Sequence, residues 1–185
     1  MIWELPTSLE VNGTEREIRT DFRDVLKILV AFEDPELDPA EKEYICLFIL
    51  YVDFDQIPKE DYVAAYKAAI SFIDNGIEGD RGGPRTMDWE QDAKILFPAV
   101  NHAAGCEVRS LPYLHWHTFT GYFMEIKDSV YANVLNLRQK KAKGKKLEKH
   151  EREFWTANKK ICVLQPKLTE EEQAEKDRLN ALLGG

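Results

Sequence analysis

The apolar residues of this chain recur with the period of an α-helix over most of its length, and this limits the fold more than any other feature. Phe22, Val25, Leu26, Leu29 and Val30 fall at intervals of three and four residues, which places them along one face of a helix. Residues 62–73 and 89–104 repeat the pattern, and two shorter helices follow over residues 116–126 and 130–137. We therefore predict a compact helical core domain over residues 20–137.

One short segment departs from the helical period. Residues 9–11 and 15–18 flank Asn12 and Gly13, the dipeptide that most readily adopts the positive φ angles of a type I′ turn. The sequence predicts a β-hairpin in residues 1–19. Because an isolated hairpin is only marginally stable, we expect it to pack on the helices or to extend a neighbour's sheet.

Start signals for two of the helices are explicit. Asp38, Pro39 and Glu41 supply an N-cap, a proline at the first helical position and the acid of a capping box. The run that follows, residues 44–52, is apolar on all sides, so we place this helix at the centre of the core. Asp88 with Gln91 predicts a further cap in front of residues 89–104.

Residues 77–86 hold three glycines and a proline, with almost no apolar side chain to anchor them. They are predicted to form a mobile loop. The lysine and the Ser or Thr of a phosphate-binding loop are missing, so a nucleotide site is not indicated here.

Beyond residue 137 the apolar content falls and the charge changes sign. Residues 138–152 carry eight basic and two acidic side chains, a net +6, which leaves −14 for the rest of a chain whose total is −8. Thr169 and Glu172 predict a capping box that opens a last, charged helix with a thin apolar face. We predict a basic linker and C-terminal helices over residues 138–185. The fold class is thus mainly α, with a small N-terminal hairpin and a charged, partly detached C-terminal helical segment.

The sequence gives no sign of export or of a membrane anchor. Cys46, Cys106 and Cys162 are odd in number and widely spaced, which favours free thiols in a reducing compartment. The early acidic residues argue against a signal peptide, and the longest apolar run is far shorter than the ~20 residues of a membrane helix. We expect a cytosolic protein without a membrane partner.

Histidines offer the most direct candidates for chemistry, and their spacing argues against it. On a helix, His115 and His117 point to nearly opposite faces and cannot share one metal ion. Acidic pairs such as Asp53 and Asp55 are expected by chance among 33 acids and serve as caps or solvated faces. We expect no catalytic residue, no metal and no cofactor, and hence no enzyme.

The basic run could contact phosphates, with Phe154 and Trp155 behind it to stack on bases. Against this, the −14 over the remainder of the chain opposes the approach of a nucleic acid duplex. A solvated, lysine-rich segment is the favoured interpretation, and a nucleic-acid partner is not expected.

One succession of residues is more specific than any of these. It comprises an acidic and aromatic helix start at residues 87–93, Gly105, the block at residues 114–119, and Leu137 with Arg138. This succession resembles the signature of the phage protein family called after gene product fifteen. His117 stands where the family often has a second tryptophan, and residues 104–108 replace its YGIDL-like turn. The positions that carry the resemblance, expected to be core, are Asp88, Trp89, Asp92, Leu114, His115, Trp116, Phe119 and Arg138.

The resemblance implies a tail assembly chaperone of long-tailed phages of Gram-positive bacteria, encoded between the major tail protein and the tape measure protein. Such a protein binds the tape measure protein, helps to recruit tail tube subunits, works in the host cytoplasm and is absent from the finished virion. Self-association is a further expectation. We expect docking at the C-terminal segment, through Phe154, Trp155, Leu179 and Leu182. Two alternatives stay open: a structural tail or head-tail connector protein of the virion, and a nucleic-acid-associated regulator.

Overall fold

A computed structural model describes residues 3–75 and 84–183 and confirms the mainly α fold. Most of the loop predicted over residues 77–86, and the two glycines that close the chain, lie outside the described residues. No helix in these ranges is long and apolar enough to cross a membrane. The elements are β1 (Ser8–Val11), β2 (Thr14–Glu17), α1 (Phe22–Phe32), α2 (Pro39–Leu50), α3 (Tyr62–Ile73), α4 (Ala93–Ala104), α5 (Trp116–Met124), α6 (Val130–Ala142), α7 (Lys149–Ala157), α8 (Lys159–Cys162) and α9 (Glu170–Leu183).

The N-terminal hairpin forms where the sequence predicts it. Asn12 and Gly13 have φ angles of 47° and 82°, as a type I′ turn requires. The strands pair antiparallel in a register that places Val11 opposite Thr14. β1 packs against α3, and Val11 and Ile18 are buried. The hairpin is therefore supported by the helices, since two strands alone would be marginal.

Helix α2 begins as predicted but is not surrounded by core. The carboxylate of Asp38 accepts hydrogen bonds from the first turn, and Glu41 completes the capping box. Tyr44 and Phe48, one helical turn apart, are 51% and 56% exposed and stack on each other with ring centroids 6.2 Å apart. The prediction that α2 lies at the centre of the core was wrong, because α2 packs against α1 and α3 while Tyr44 and Phe48 on its outer face stay exposed. We call Tyr44 and Phe48, with Phe54 beneath them, the aromatic patch.

The core joins the first three helices to α4, α5 and α6 through aromatic contacts. Phe22 of α1 stacks on Phe119 of α5 with centroids 4.7 Å apart and ring planes 8° apart, and both side chains are buried. Helix α4 continues through Pro98 and ends at Gly105, whose φ of 70° suits a left-handed C-cap. Helices α5 and α6 are separated near Asp128, as predicted.

The C-terminal segment divides into a part that packs on the body and a part that does not. The boundary predicted at residue 138 falls inside α6, and Arg138 is buried. Helices α7 and α8 turn back toward α6 and bury Glu151 and Cys162. Every described side chain of α9, by contrast, is exposed. We call residues 149–168 the docked segment.

Candidate functional site

The acidic start and the arginine of the sequence signature meet in one buried ion pair. Arg138 donates two hydrogen bonds to the carboxylate of Asp92, at 2.7 and 2.8 Å. Both side chains are less than a tenth exposed. Bidentate pairing of this kind fixes direction as well as distance, so α4 and α6 are held in one relative orientation.

The remaining donors of Arg138 reach three backbone carbonyls. Its guanidinium donates to Thr86 at 3.1 Å, to Ile161 at 2.6 Å and to Cys162 at 2.9 Å. All five N–H groups of the arginine are thereby used. One side chain thus connects α6 to the residues before α4 and to the end of α8.

The side chain of Asp88 caps a turn that precedes α4. Its Oδ1 accepts from the backbone N–H groups of Glu90 and Gln91 at 2.8 and 2.6 Å, and its own N–H donates to Asp92 at 3.0 Å. The predicted cap is therefore real but lies one turn early, because α4 begins only at Ala93. Asp92, the residue at the helix N-cap, makes no side-chain cap, since Arg138 occupies its carboxylate.

A second charge cluster holds the docked segment to the body. The buried Oδ2 of Asp88 faces Arg85 and, at 3.4 Å, the ammonium group of Lys167. Lys167 also lies 3.0 Å from Glu33 at the end of α1. Gln91 exchanges two hydrogen bonds with the backbone of residue 165, at 3.0 and 2.9 Å. Residues 161–167 are thus bound from several sides.

The aromatic half of the signature forms core. The indole Nε1 of Trp116 donates to the carbonyl of Ile73 at 2.8 Å, which ties α5 to the end of α3. Its ring stacks on Phe119 and meets Trp89 at a tilt, with centroids 5.7 and 6.4 Å away. Leu114 is also buried and accepts a hydrogen bond from the N–H of Phe22.

His115 of the signature and His117 beside it both form hydrogen bonds with backbone groups. Nδ1 of His115 accepts the N–H of His117 at 3.0 Å, which leaves Nε2 to donate to the carbonyl of Pro6 at 3.0 Å. Nε2 of His117 donates to the carbonyl of Phe72 at 2.9 Å, and burial lowers the pKa of His117. Within residues 3–75 and 84–183 no group of three or more His, Cys, Asp or Glu side chains could hold a metal ion.

An apolar groove runs between α1 and α4, with a cavity of about 550 Å³. Two guanidinium groups lie against its aromatic walls: Arg23 is 4.6 Å from the centroid of Phe22, and Arg109 is 4.7 Å from that of Phe97. Arg109 is bound to Glu107 and lowers the pKa of that carboxyl to about 2. The groove is lined by Phe22, Arg23, Leu26, Lys27, Val30, Trp89, Glu90, Ala93, Phe97 and Arg109.

Sequence reasoning missed this groove. The sequence places Leu26 and Val30 on the apolar face of a helix, and in the structure both are only half-buried, as is Phe97. The sequence feature that could have indicated the groove is the apolar face of α1. This face is wider than the surface that the neighbouring elements cover. Six apolar residues in the nine positions 22–30 form a face broad enough to pack inward and still border an open surface.

The four predicted docking residues of the C-terminal segment do not form one surface. Phe154 and Trp155 lie on α7 and are half-buried, with the ammonium of Lys141 4.1 Å from the Trp155 ring centroid. Leu179 and Leu182 lie on α9 and are 51% and 72% exposed. Only the α9 pair is free for contact without rearrangement.

Comparison with protein families matches residues 1–164 to the family described as Bacteriophage Gp15 protein. The chain belongs to this family. Neither the curated proteins nor the solved structures give a match. The matched region ends just after α8, so it contains the Asp92–Arg138 pair, the aromatic core and the groove, while α9 lies beyond it. Membership confirms the resemblance and gives this Gp15 protein a phage-related structural or assembly role.

Proposed function

We propose that this Gp15 protein is a non-catalytic tail assembly chaperone that binds the tape measure protein in the groove between α1 and α4. The observation that supports this proposal is the groove itself. Its volume of about 550 Å³ falls within the roughly 300–1,000 Å³ of typical binding clefts. Its lining combines six apolar residues with four charged ones, and an amphipathic helix presents the same combination.

The spacing of the residues that line the groove also suits a bound helix. On α1, Leu26 and Val30 are four residues apart, and on α4, Ala93 and Phe97 are four apart. These two rows border the cavity with the spacing at which apolar side chains recur along an incoming helix. A tape measure protein is a long helical rod with apolar stripes, which needs such cover to stay soluble before assembly.

The charge of the chain supports the same role. A net charge of −8 keeps a complex with an apolar rod in solution, because like charges repel neighbouring complexes. Recruitment of tail tube subunits needs a second surface. The aromatic patch on α2, formed by Tyr44 and Phe48 over Phe54, has no residue in common with the groove and is exposed for such a contact.

Co-expression with the tape measure protein of the same phage or prophage tests the proposal. Soluble tape measure protein and its co-elution with Gp15 in size-exclusion chromatography are the readouts. Wild-type Gp15 is expected to give a soluble complex. The double variant Leu26→Gln, Val30→Gln is expected to lose it while keeping the circular dichroism spectrum of the free protein.

Two control variants separate the groove from other surfaces. Met124→Gln with Val130→Gln changes two exposed apolar residues outside the groove and is expected to leave the complex intact. Truncation after Leu168 removes α9 and tests whether tape measure docking uses Leu179 and Leu182. If wild-type Gp15 elutes alone and the tape measure protein stays insoluble, the chaperone proposal is wrong. Unchanged binding by the groove variant would remove the groove from it.

A further inference from the structure

A second surface lies where α6 ends and α7 begins. Positively charged side chains surround the indole of Trp155 there. Its cavity of about 400 Å³ contains four cations and no acidic side chain. We call it the basic pocket. The apolar part of the pocket comes from Leu147 and Trp155. The residues that line the pocket are Lys141, Lys145, Lys146, Leu147, Arg152, Trp155 and Thr156.

Helix α9 carries a net charge opposite to that of the basic pocket. Its residues 170–183 carry five acidic and two basic side chains, a net −3, and its described side chains are all exposed. Glu171, Glu175, Leu179 and Leu182 are spaced by four, four and three residues, so they lie on one face. Arg178 borders the same face. This helix therefore presents an exposed stripe that contains both acidic residues and leucines.

We propose that α9 of one copy docks in the basic pocket of a second copy, so that Gp15 chains join head to tail. The carboxylates of Glu171 and Glu175 face the lysines of the pocket, and the two leucines cover Leu147 and Trp155. Each copy has one helix to give and one pocket to receive, which makes the contact heterologous and able to propagate. This inference concerns Gp15 alone and does not depend on the groove or on the tape measure protein.

Charge decides between a second copy and a nucleic acid as the occupant. The basic run of residues 138–152 has a net +6, but the rest of the chain carries −14 and would repel a polyanion. An acidic helix of about 21 Å presents only a local negative charge, and it brings leucines that match the apolar part of the pocket. The chain itself contains such a helix in α9.

Sedimentation velocity of the 185-residue chain, at several protein concentrations and at about 50 and about 500 mM NaCl, is the primary measurement. Wild type is expected to associate as concentration rises, and more weakly at the higher salt. The pocket variant Lys145→Glu, Lys146→Glu and the helix variant Glu171→Lys, Glu175→Lys are each expected to associate at least about tenfold more weakly. An equimolar mixture of the two is expected to restore a complex. The unaltered acidic α9 of the pocket variant meets the unaltered basic pocket of the helix variant, and the reversed α9 meets the reversed pocket.

Matched controls carry the same change in charge at other positions. Glu170→Lys with Asp177→Lys reverses two carboxylates on the opposite face of α9, and Lys159→Glu with Lys160→Glu reverses two exposed lysines outside the pocket. Both are expected to associate like wild type. The proposal is overturned if wild type stays monomeric at all concentrations, if the controls lose association equally, or if the mixture does not associate. It is also overturned if association disappears on nuclease treatment, which would make the pocket a nucleic-acid site.

Discussion

The guanidinium of Arg138 and the carboxylate of Asp92 form a bidentate pair across 46 residues of sequence, with both side chains buried. The other N–H groups of the arginine bind backbone carbonyls on both sides of the pair. The net stabilisation by a buried pair is small, because the cost of taking both charges out of water offsets their attraction. Loss of one member, however, leaves a buried charge without its partner.

Arg138→Met is therefore expected to lower the free energy of unfolding by about 3–5 kcal/mol. Urea denaturation followed by tryptophan fluorescence measures it. The double variant Asp92→Leu, Arg138→Met should recover part of the loss, because no unpaired charge then stays in the core. A double variant as unstable as Arg138→Met alone would show that the charge is not the cause.

Truncations after two different residues are expected to differ in their effect on the urea midpoint. Truncation after Leu168 removes only α9 and should leave the urea midpoint unchanged. Truncation after Lys149 also removes the carbonyls of Ile161 and Cys162 that accept from Arg138, and each hydrogen bond lost to a buried charge costs about 1–3 kcal/mol. Equal midpoints for the two truncated proteins would mean that the docked segment does not stabilise the body.

The stability of Gp15 is expected to fall as pH drops from about 7 to about 5.5. Burial lowers the pKa of His117 below its ordinary value, so the unfolded chain binds the proton more readily and is favoured as pH falls. His117→Gln retains a donor for the carbonyl of Phe72 but does not titrate. Its free energy of unfolding should vary less over this range. If wild type and variant have the same pH dependence, the effect comes from other groups.

Structural features that depend on a few neighbouring residues were predicted from the sequence, and features that depend on distant residues were not. The turn at Asn12 and Gly13, the capping box of Asp38 and that of Thr169 with Glu172 were predicted correctly, since each is determined within a few residues. The exposed face of α2 was not, because an evenly apolar helix does not indicate which side its neighbours will cover.

The spacing of apolar residues also did not predict contacts between distant segments of the chain. Nothing local to Gln91 indicates that it binds the backbone at residue 165, 74 residues later. Asp92 and Arg138 were singled out only by the family resemblance, which gave their importance without their contact. The groove escaped prediction for the same reason, since it depends on the separation of α1 and α4 rather than on either helix alone.

Purified virions test whether Gp15 acts during assembly or remains in the particle. A chaperone is expected in lysates of infected or induced cells and absent from purified particles, by quantitative mass spectrometry normalised to the major tail protein. Stoichiometric presence in the particle would favour the structural role instead.

The most direct test of the central claim is cross-linking mass spectrometry on Gp15 co-purified with its tape measure protein. Lys27 lines the groove, and its side chain is 65% exposed, so a lysine-reactive reagent can reach it. Binding in the groove predicts cross-links from Lys27 to lysines of the tape measure protein, and their loss in the Leu26→Gln, Val30→Gln variant. A stable complex whose cross-links come only from Lys145, Lys146 or α9 would contradict the groove as the tape measure site.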